Sequence, residues 1–206
     1  MLITIEGIDG SGKTAMVKYL RKNFTDICYT SEPTENFEFS RLRPLDNEYD
    51  SIYNFFLFTY DRLDHQKYIE ENKDKTIISD RYIASSIAYE GPLIEKLFGN
   101  KDETIKYMLN VSKVIRFMPD IIIYLGVSIE SAMERIKNNR KNLSKNNERL
   151  SILEKAETLK KVLEYYDYFL KNIEKYTGKN IQVIRIDANQ DIENVQKNMY
   201  NIIKNL

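Results

Sequence analysis

The chain has 206 residues, 42% of them hydrophobic, which is enough to bury a core, and we expect one domain spanning 1–206. Basic and acidic residues each total 31, so the net charge is zero, which argues against a general nucleic-acid or membrane-surface binder. One cysteine, no secretory signal and no apolar run of roughly 18 residues indicate a cytoplasmic protein without a membrane span.

Five short apolar runs, rich in β-branched residues, predict strands that are buried on both faces. The predicted strands cover residues 2–6, 27–30, 76–80, 121–127 and 181–187. Helical periodicity lies between them, including an aromatic helix over 50–71 and two helices within 130–175 that are separated by the polar stretch KNNRKNLSKNN. This alternation predicts a parallel sheet between two helical layers, which is a three-layer α/β/α fold.

The turn after the first predicted strand fits the phosphate-binding pattern G-x-x-x-x-G-K-[ST], called the P-loop. Its residues are Gly7, Ile8, Asp9, Gly10, Ser11, Gly12, Lys13 and Thr14. Glycines let backbone N–H groups converge on an anion, and the following helix adds its N-terminal dipole. We expect Lys13 to reach the β- and γ-phosphates of a nucleoside triphosphate and the Thr14 hydroxyl to ligate Mg²⁺.

The P-loop alone leaves three classes of protein open: a GTPase switch, a small-molecule phosphotransferase and an ATP-gated binding module. The sequence contains neither an Asp-x-x-Gly after a strand nor an Asn-Lys-x-Asp for guanine, which disfavours the GTPase. Asp80 and Arg81 follow the third predicted strand, where a parallel sheet binds ligands. They are candidates for an anion site, although an ion pair that caps the strand end is the alternative.

Together these stretches resemble the thymidylate kinase family of nucleoside-monophosphate kinases. The matching pieces occur in order as IEGIDGSGKT, Glu32-Pro33, FLFTYDR at 56–62, DRYIASSIAYEG at 80–91, PDIIIYLGV at 119–127 and IDA at 186–188. The resemblance implies transfer of the γ-phosphoryl group of ATP to dTMP with Mg²⁺ as cofactor. It also implies strand order 2-3-1-4-5, a mobile helical lid, and a homodimer formed through helices that include the one at 50–71.

The resemblance also assigns the acceptor site. Phe58 is expected to stack on thymine, and Arg62, one helical turn later, to donate to its O4 atom, which an amino group on cytosine would oppose. Arg81 is expected to clamp the dTMP phosphate, and Asp80 to act at the metal through water or to orient Arg81. The remaining expected contacts are Glu32, Pro33, Ser85, Ser86 on the base edge, Tyr89 under the sugar, and Asp9 at the 3′-hydroxyl and near the metal.

A basic lid is expected over about 135–149, where six basic residues accompany one acid. In some relatives a P-loop arginine supplies the catalytic cation, but Gly10 and Ser11 are not basic here. We therefore expect the lid to supply it, first from Arg140 and second from Arg149, by closing over the transferring phosphoryl group. The alternative is a solvated loop whose charges serve solubility.

Several positions depart from the family pattern. Ser31 replaces an arginine before Glu32-Pro33, and Arg41 or Arg43 could fold back to complete the phosphate clamp. Glu90 stands where relatives often have glutamine, so a hydrogen bond from that amide must differ. His65 is interpreted as structural or exposed. dUMP, which lacks one methyl group, is expected to be a weaker substrate than dTMP.

The alternative enzyme is a deoxynucleoside kinase, or another nucleoside-monophosphate kinase on the same scaffold. A deoxynucleoside kinase needs a base that takes the proton of a 5′-hydroxyl, and an acid after the second strand is the usual choice. Glu32 is placed to play that part, so the sequence keeps this alternative open.

Overall fold

The structure is a computed structural model that describes residues 1–142 and 155–206, with side chains described outside 139–154. Its strands are β1 (Leu2–Glu6), β2 (Cys28–Ser31), β3 (Ile77–Asp80), β4 (Ile121–Gly126) and β5 (Gln182–Asp187). Its helices are α1 (Lys13–Asn23), α2 (Glu48–Glu71), α3 (Ile83–Phe98), α4 (Lys101–Val111), α5 (Ile129–Asn142), α6 (Ala156–Lys171), α7 (Ile173–Thr177) and α8 (Ile192–Lys204). Short 3₁₀ turns cover Phe39–Arg41 and Ser112–Val114.

Within the described residues the five strands form one parallel sheet in the order β2-β3-β1-β4-β5, which confirms the predicted fold and strand order. Each strand boundary lies within one residue of its prediction. The register pairs Ile5 of β1 with Asp80 of β3, and Asp80 with Ser31 of β2. The carboxyl ends of these three strands therefore meet at one edge, where an open parallel sheet binds its ligands.

The prediction of strands buried on both faces holds in the centre of the sheet and is wrong at its edges. All five residues of β1 are buried, whereas the residues of β2 are half-buried and most of β5 is half-buried or exposed. An edge strand has one hydrogen-bonded neighbour, so helices cover its side chains less completely. The core therefore sits around β3, β1 and β4, directly beneath the edge that carries the site.

The helices test two further predictions made from the sequence. Helix α2 begins where Asn47 Oδ1 accepts from the backbone N–H of Asp50 at 3.0 Å, and it spans the predicted aromatic segment. The two helices predicted within 130–175 are found as α5 and α6, but the chain turns again at Asn172 and adds the short α7. No helix of the described chain is both long and apolar enough to cross a membrane.

Helices α3 and α6 pack closely because α3 has a glycine at the crossing point. A Cβ atom placed on Gly91 would lie 2.4 Å from Cε1 of Tyr165, which is far inside van der Waals contact. The Tyr165 ring is buried and fixed by its hydroxyl, which donates to Glu95 Oε2 at 2.6 Å. The ring therefore cannot move aside without losing this hydrogen bond.

We predict that Gly91→Ala lowers the free energy of unfolding. Alanine gains about 1 kcal/mol of helix propensity over glycine, but overpacking a fixed ring costs typically 1–3 kcal/mol, so the net change is destabilising. Chemical denaturation measures it, and Tyr165→Ala provides the control background. If the same cost persists after the ring is removed, the clash is not its cause.

Candidate active site

The turn between β1 and α1 forms a phosphate-sized cradle. Gly10 and Gly12 have φ angles of 80° and 95°, in the left-handed region that favours glycine. A Cβ on Gly10 would lie 2.5 Å from the Ala132 carbonyl oxygen, so this turn also needs glycine for close packing against α5. The cradle opens into a cavity of about 540 Å³, which we call the donor cavity. It is lined by residues 9–16, Ser31, Glu32, Asp80, Arg81, Arg135, Asn138, Ala188, Gln190, Ile192 and Val195.

Lys13 is held at the base of the donor cavity. Its Nζ donates to the carbonyl oxygens of Gly7 and Ile8, both at 2.9 Å, so these two predicted residues support the lysine instead of lining the cavity. Burial, with the nearby Arg81 charge, lowers the pKa of Lys13 to about 7. Negative phosphates placed beside the amine would favour its charged form.

Arg135 is a residue of this cavity that the sequence interpretation assigned only to the lid. Its guanidinium donates to the Ala188 carbonyl at 2.7 Å and to the Gly10 carbonyl at 3.4 Å. It thereby joins α5, the segment after β5 and the P-loop around one cavity. Its position one turn into a helix after β4 gave no specific signal in the sequence.

Thr14 and Asp80, the two predicted metal ligands, lie side by side at the mouth of the cradle. The Thr14 hydroxyl donates to Asp80 Oδ2 at 3.3 Å. The other carboxylate oxygen, Oδ1, is buried without a hydrogen-bond partner among the described residues. A hydroxyl beside an unsatisfied carboxylate suits Mg²⁺, which uses one or two protein oxygens plus phosphates and water. No group of three or more His, Cys, Asp or Glu side chains that could hold a metal ion occurs in the described ranges.

Arg81 sits at the end of β3 with a backbone φ of 71°, an uncommon conformation for a side-chain-bearing residue. Its guanidinium pairs with the Asp9 carboxylate, donates to Ser85 Oγ at 3.3 Å and lies over the Tyr89 ring at 5.1 Å. Burial alone favours the neutral acid, but the Arg81 and Lys13 charges outweigh it and lower the pKa of Asp9. Asp80 contacts Thr14 at this edge, while Asp9 and Ser85 hold the Arg81 side chain.

A second cavity of about 230 Å³, the acceptor cavity, adjoins the donor cavity. All eight residues predicted to bind substrate line it: Glu32, Pro33, Phe58, Arg62, Arg81, Ser85, Ser86 and Tyr89. Asp9, Phe39, Leu42, Tyr82 and Glu90 complete its wall. Asp9, Glu32 and Arg81 line both cavities, so the two spaces meet at these side chains.

The floor of the acceptor cavity is a buried ion pair. Arg62 is 1% exposed and Glu32 7% exposed. Glu32 Oε2 accepts from Nε of Arg62 at 2.7 Å and lies 2.7 Å from Nη2, which donates to Ser86 Oγ at 3.0 Å. Arg62 Nη1 is buried and has no partner within the described part of the chain, so one donor remains for a ligand.

His65 lies behind this ion pair. Of the two predicted alternatives for His65, structural or exposed, the exposed one is wrong, because the residue is 3% exposed and its Nδ1 lies 2.9 Å from Glu32 Oε1. The sequence showed a histidine on an aromatic helix but gave no sign that β2 would bring Glu32 to it. Both oxygens of Glu32 are consequently engaged, which weighs against Glu32 as a general base.

Three aromatic rings form one side of the acceptor cavity. Phe58 and Phe39 line the cavity, and Phe37 stacks against Phe58 with ring centroids 5.1 Å apart and an interplanar angle of 9°. Phe39 packs edge-on against Phe37 at 5.0 Å. The segment after Glu32-Pro33 thus supports Phe58. Neither Arg41 nor Arg43 is among the described residues that line the two cavities, and Arg43 instead lies over the Tyr53 ring at 3.8 Å.

Two buried carboxyl groups face the site. Glu90 is 3% exposed, lines the acceptor cavity, and its Oε2 has no partner in the described ranges. Burial raises the pKa of Glu90 to about 8, so the group is largely neutral at pH 7. Glu6 lies beneath Arg81 and accepts from Ser85 Oγ at 2.6 Å and Tyr166 Oη at 3.0 Å. Burial raises the pKa of Glu6 to about 7.

The predicted lid falls mostly outside the described residues. Arg140 is in the last turn of α5, but its side chain is not described, and Arg149 belongs to the segment 143–154. The expected role of these two arginines therefore remains a prediction.

The sequence and fold match known proteins over nearly their whole length. The family model "Thymidylate kinase" matches residues 5–199. A probable thymidylate kinase of Picrophilus torridus is 45% identical over 196 residues, covering 95% of this chain and 92% of the relative. A probable thymidylate kinase of Methanocaldococcus jannaschii is 33% identical over 211 residues, covering 100% of this chain and 97% of that protein.

Solved structures share the fold at lower identity. Deoxyadenosine kinase from M. mycoides with bound dCTP superposes with a TM-score of 0.72 at 20% identity, covering 100% of both chains. The same enzyme with bound dATP gives a TM-score of 0.70 at 21% identity, covering 99% of each chain. These structural matches support the fold alone. The family model and the two relatives above match the sequence of this chain as well. The chain belongs to the thymidylate kinase family and is a phosphotransferase of the nucleoside-monophosphate kinase class.

Proposed function

We propose that this protein, as a single kinase domain, transfers the γ-phosphoryl group of ATP to the phosphate of dTMP, giving dTDP and ADP, with Mg²⁺ as cofactor. The observation that carries the proposal is the meeting of two cavities at Asp9, Glu32 and Arg81, one against a P-loop and one against an arginine with an open donor. An oxygen of the dTMP phosphate attacks the γ-phosphorus, and the bond from that phosphorus to the β–γ bridging oxygen breaks.

On the donor side, the P-loop holds the triphosphate and Lys13 reaches its β- and γ-phosphates. Thr14 and Asp80 would hold Mg²⁺, which would supply positive charge to neutralise the transferring phosphoryl group. Ala188, Gln190, Ile192 and Val195 line the far end of the donor cavity and provide a partly apolar surface for the adenine ring. The Arg135 guanidinium joins the P-loop to this surface, because it donates to the backbone carbonyls of Gly10 and Ala188.

On the acceptor side, Arg81 binds the dTMP phosphate with its planar guanidinium and brings it into line with the γ-phosphate. Ser85 supports Arg81, and Asp9 lies between the two cavities, where it accepts from the 3′-hydroxyl. Because a phosphate acceptor is already ionised, the reaction needs no group that abstracts a proton. The protein therefore contributes position and charge, to which the lid adds Arg140 or Arg149.

The base lies between Phe58 and the polar floor. Arg62 Nη1 donates to O4 of thymine, which no cytosine atom at that position could accept. Ser86 faces the adjoining base edge, and the neutral Glu90 carboxyl offers one donor and one acceptor, as an amide would. Binding the wrong base leaves the buried Arg62 donor unpaired, which is how such sites discriminate strongly.

We predict turnover with ATP and dTMP, weaker turnover with dUMP, and little with thymidine, CMP or AMP. ADP release, followed in a coupled assay over this panel, measures it, and Lys13→Ala provides the inactive control. Faster phosphorylation of thymidine than of dTMP would establish the deoxynucleoside kinase alternative. Nucleotide binding without ADP release in any mixture would establish the ATP-gated module.

We predict that Glu90→Gln stabilises the protein more at pH 8 than at pH 5. Glu90 has a folded-state pKa of about 8 against 4.5 in the unfolded chain, so the unfolded state loses its proton first and stability falls as pH rises between these values. Glutamine does not titrate, so its advantage should grow by about 3 kcal/mol across this interval. Glu6, with a pKa of about 7, titrates in both proteins and cancels from the difference.

Denaturant unfolding at pH 5, 6, 7 and 8 measures this difference. A constant difference between the two proteins across the four pH values would show that Glu90 is not a buried titrating group.

We further propose a homodimer through α2. Tyr49, Phe56, Tyr60 and Leu63 are between 40% and 68% exposed, and their spacing of seven, four and three residues places them on one stripe of the helix. An exposed apolar stripe of this kind marks an interaction surface. Phe58 and Arg62 of the same helix line the acceptor cavity, so the interface would brace the base-binding helix.

We predict that sedimentation velocity shows a dimer that Phe56→Lys combined with Tyr60→Lys converts to a monomer, because two buried charges lack partners in the interface. Val114→Lys provides the control, since Val114 is 55% exposed and belongs to the 3₁₀ turn Ser112–Val114 and not to α2. A monomer in the unsubstituted protein would refute the proposed interface.

A further inference from the structure

A continuous chain of hydrogen bonds runs from β2 to the open donor of Arg62. The Thr30 hydroxyl lies 2.8 Å from His65 Nε2, and His65 Nδ1 lies 2.9 Å from Glu32 Oε1. Glu32 Oε2 then accepts from Nε of Arg62 and lies 2.7 Å from its Nη2, while Nη1 is buried without a partner among the described residues. The chain leads from the half-buried Thr30 into the protein interior, where His65 is 3% exposed and Arg62 1% exposed.

The chemistry of these groups fixes the direction of each hydrogen bond. An ionised carboxylate can only accept, so Nδ1 of His65 must carry a proton and donate to Glu32. In a neutral ring Nε2 is then an acceptor, and the Thr30 hydroxyl donates to it. The ring is thereby set in one tautomer and one orientation, as a histidine flanked by a carboxylate usually is.

His65 matters because Glu32 alone does not fix Arg62. The preference of a carboxylate about its last bond is broad, so the contact of Oε1 with His65 adds a second restraint to the bond that Oε2 makes with Arg62. The His65 ring is itself enclosed by the Tyr68 and Tyr82 rings, each with its centroid 6.1 Å away. The Tyr82 ring also lies under the Arg62 guanidinium, with 5.3 Å between the ring centroid and Cζ of Arg62.

We propose that His65 is a positioning residue for base recognition: through Glu32 it sets the direction in which Arg62 Nη1 points into the acceptor cavity. This rests on the proposed function, in that Arg62 reads the O4 carbonyl of dTMP. His65 touches neither nucleotide, so it acts on the affinity and choice of the base and leaves phosphoryl transfer unchanged.

Two variants of similar size separate positioning from packing. Asparagine places its amide nitrogen about as far from the backbone as Nδ1, so His65→Asn keeps a donor to Glu32. Glutamine places its nitrogen nearer the Nε2 position, so His65→Gln keeps a polar group toward Thr30 and loses the donor to Glu32. Both variants replace a buried ring by an amide, so a loss due to packing should affect them alike.

We expect His65→Gln to raise KM for dTMP about tenfold, the loss that follows from one hydrogen bond to a charged group. It should also reduce the preference for dTMP over dCMP, while KM for ATP and kcat remain within about twofold. His65→Asn should keep KM for dTMP and the base preference near those of the unsubstituted protein. Equal KM values for dTMP in the two variants would overturn the proposal.

The unsubstituted protein offers a test that no misfolded variant can obscure. His65 is the only histidine of the chain, so its two ring nitrogens give unambiguous signals in ¹⁵N NMR. We expect Nδ1 to carry a proton and the ring signals to shift when dTMP, but not ATP, is added. A neutral ring protonated at Nε2 alone would show that the bond to Glu32 does not exist, and would overturn the proposal.

The proposed function and the proposed role of His65 can be refuted separately. Absence of ADP release with dTMP in the unsubstituted protein counts against the proposed function, whereas the ring tautomer is measured without any substrate. Turnover of dTMP with an unaltered KM in His65→Gln counts against His65 alone.

Discussion

The pairing of Arg81 with Asp9 is the contact on which the site depends. Arg81 occupies the left-handed region at the end of β3, a conformation that costs on the order of 1–3 kcal/mol and persists only where the surroundings enforce it. Those surroundings are the parallel register beside β1, the P-loop carboxylate and Ser85. Because the strained residue stands where the two cavities meet, the sheet edge fixes the separation between donor and acceptor phosphates before either nucleotide binds.

The second buried ion pair, between Arg62 and Glu32, has a different purpose. A buried pair recovers its desolvation cost only when its remaining hydrogen-bonding atoms are satisfied, and here one guanidinium nitrogen, Nη1, has no partner among the described residues. The unsatisfied donor lowers the stability of the free protein, and under the proposed function a base carbonyl satisfies it. The apolar residues around β3, β1 and β4 supply the stability that this arrangement uses.

The sequence predicted those features of the fold and the site that depend on residues close together in the chain. Alternating strands and helices identified the three-layer fold, the P-loop spacing identified the donor site, and the interval between Phe58 and Arg62 placed both on one face of α2. The contacts that join distant segments had no such signal. His65 and Glu32 meet because β2 lies beside α2, Arg135 reaches the P-loop from α5, and Phe37 supports Phe58 from a segment without periodicity. The partial exposure of β2 and β5 likewise follows from their place at the sheet edges.

The fold is shared with deoxyadenosine kinase, so it does not distinguish a nucleoside acceptor from a monophosphate acceptor. The surroundings of Glu32 do. A nucleoside 5′-hydroxyl must lose a proton during transfer, so an enzyme acting on it needs an accessible base, and Glu32 is the acid after β2. Here one oxygen of Glu32 accepts from Arg62 and the other faces His65. Neither oxygen is therefore free to take a proton from a substrate hydroxyl. A monophosphate arrives already ionised, and what it requires is the cation that Arg81 places at the junction of the two cavities.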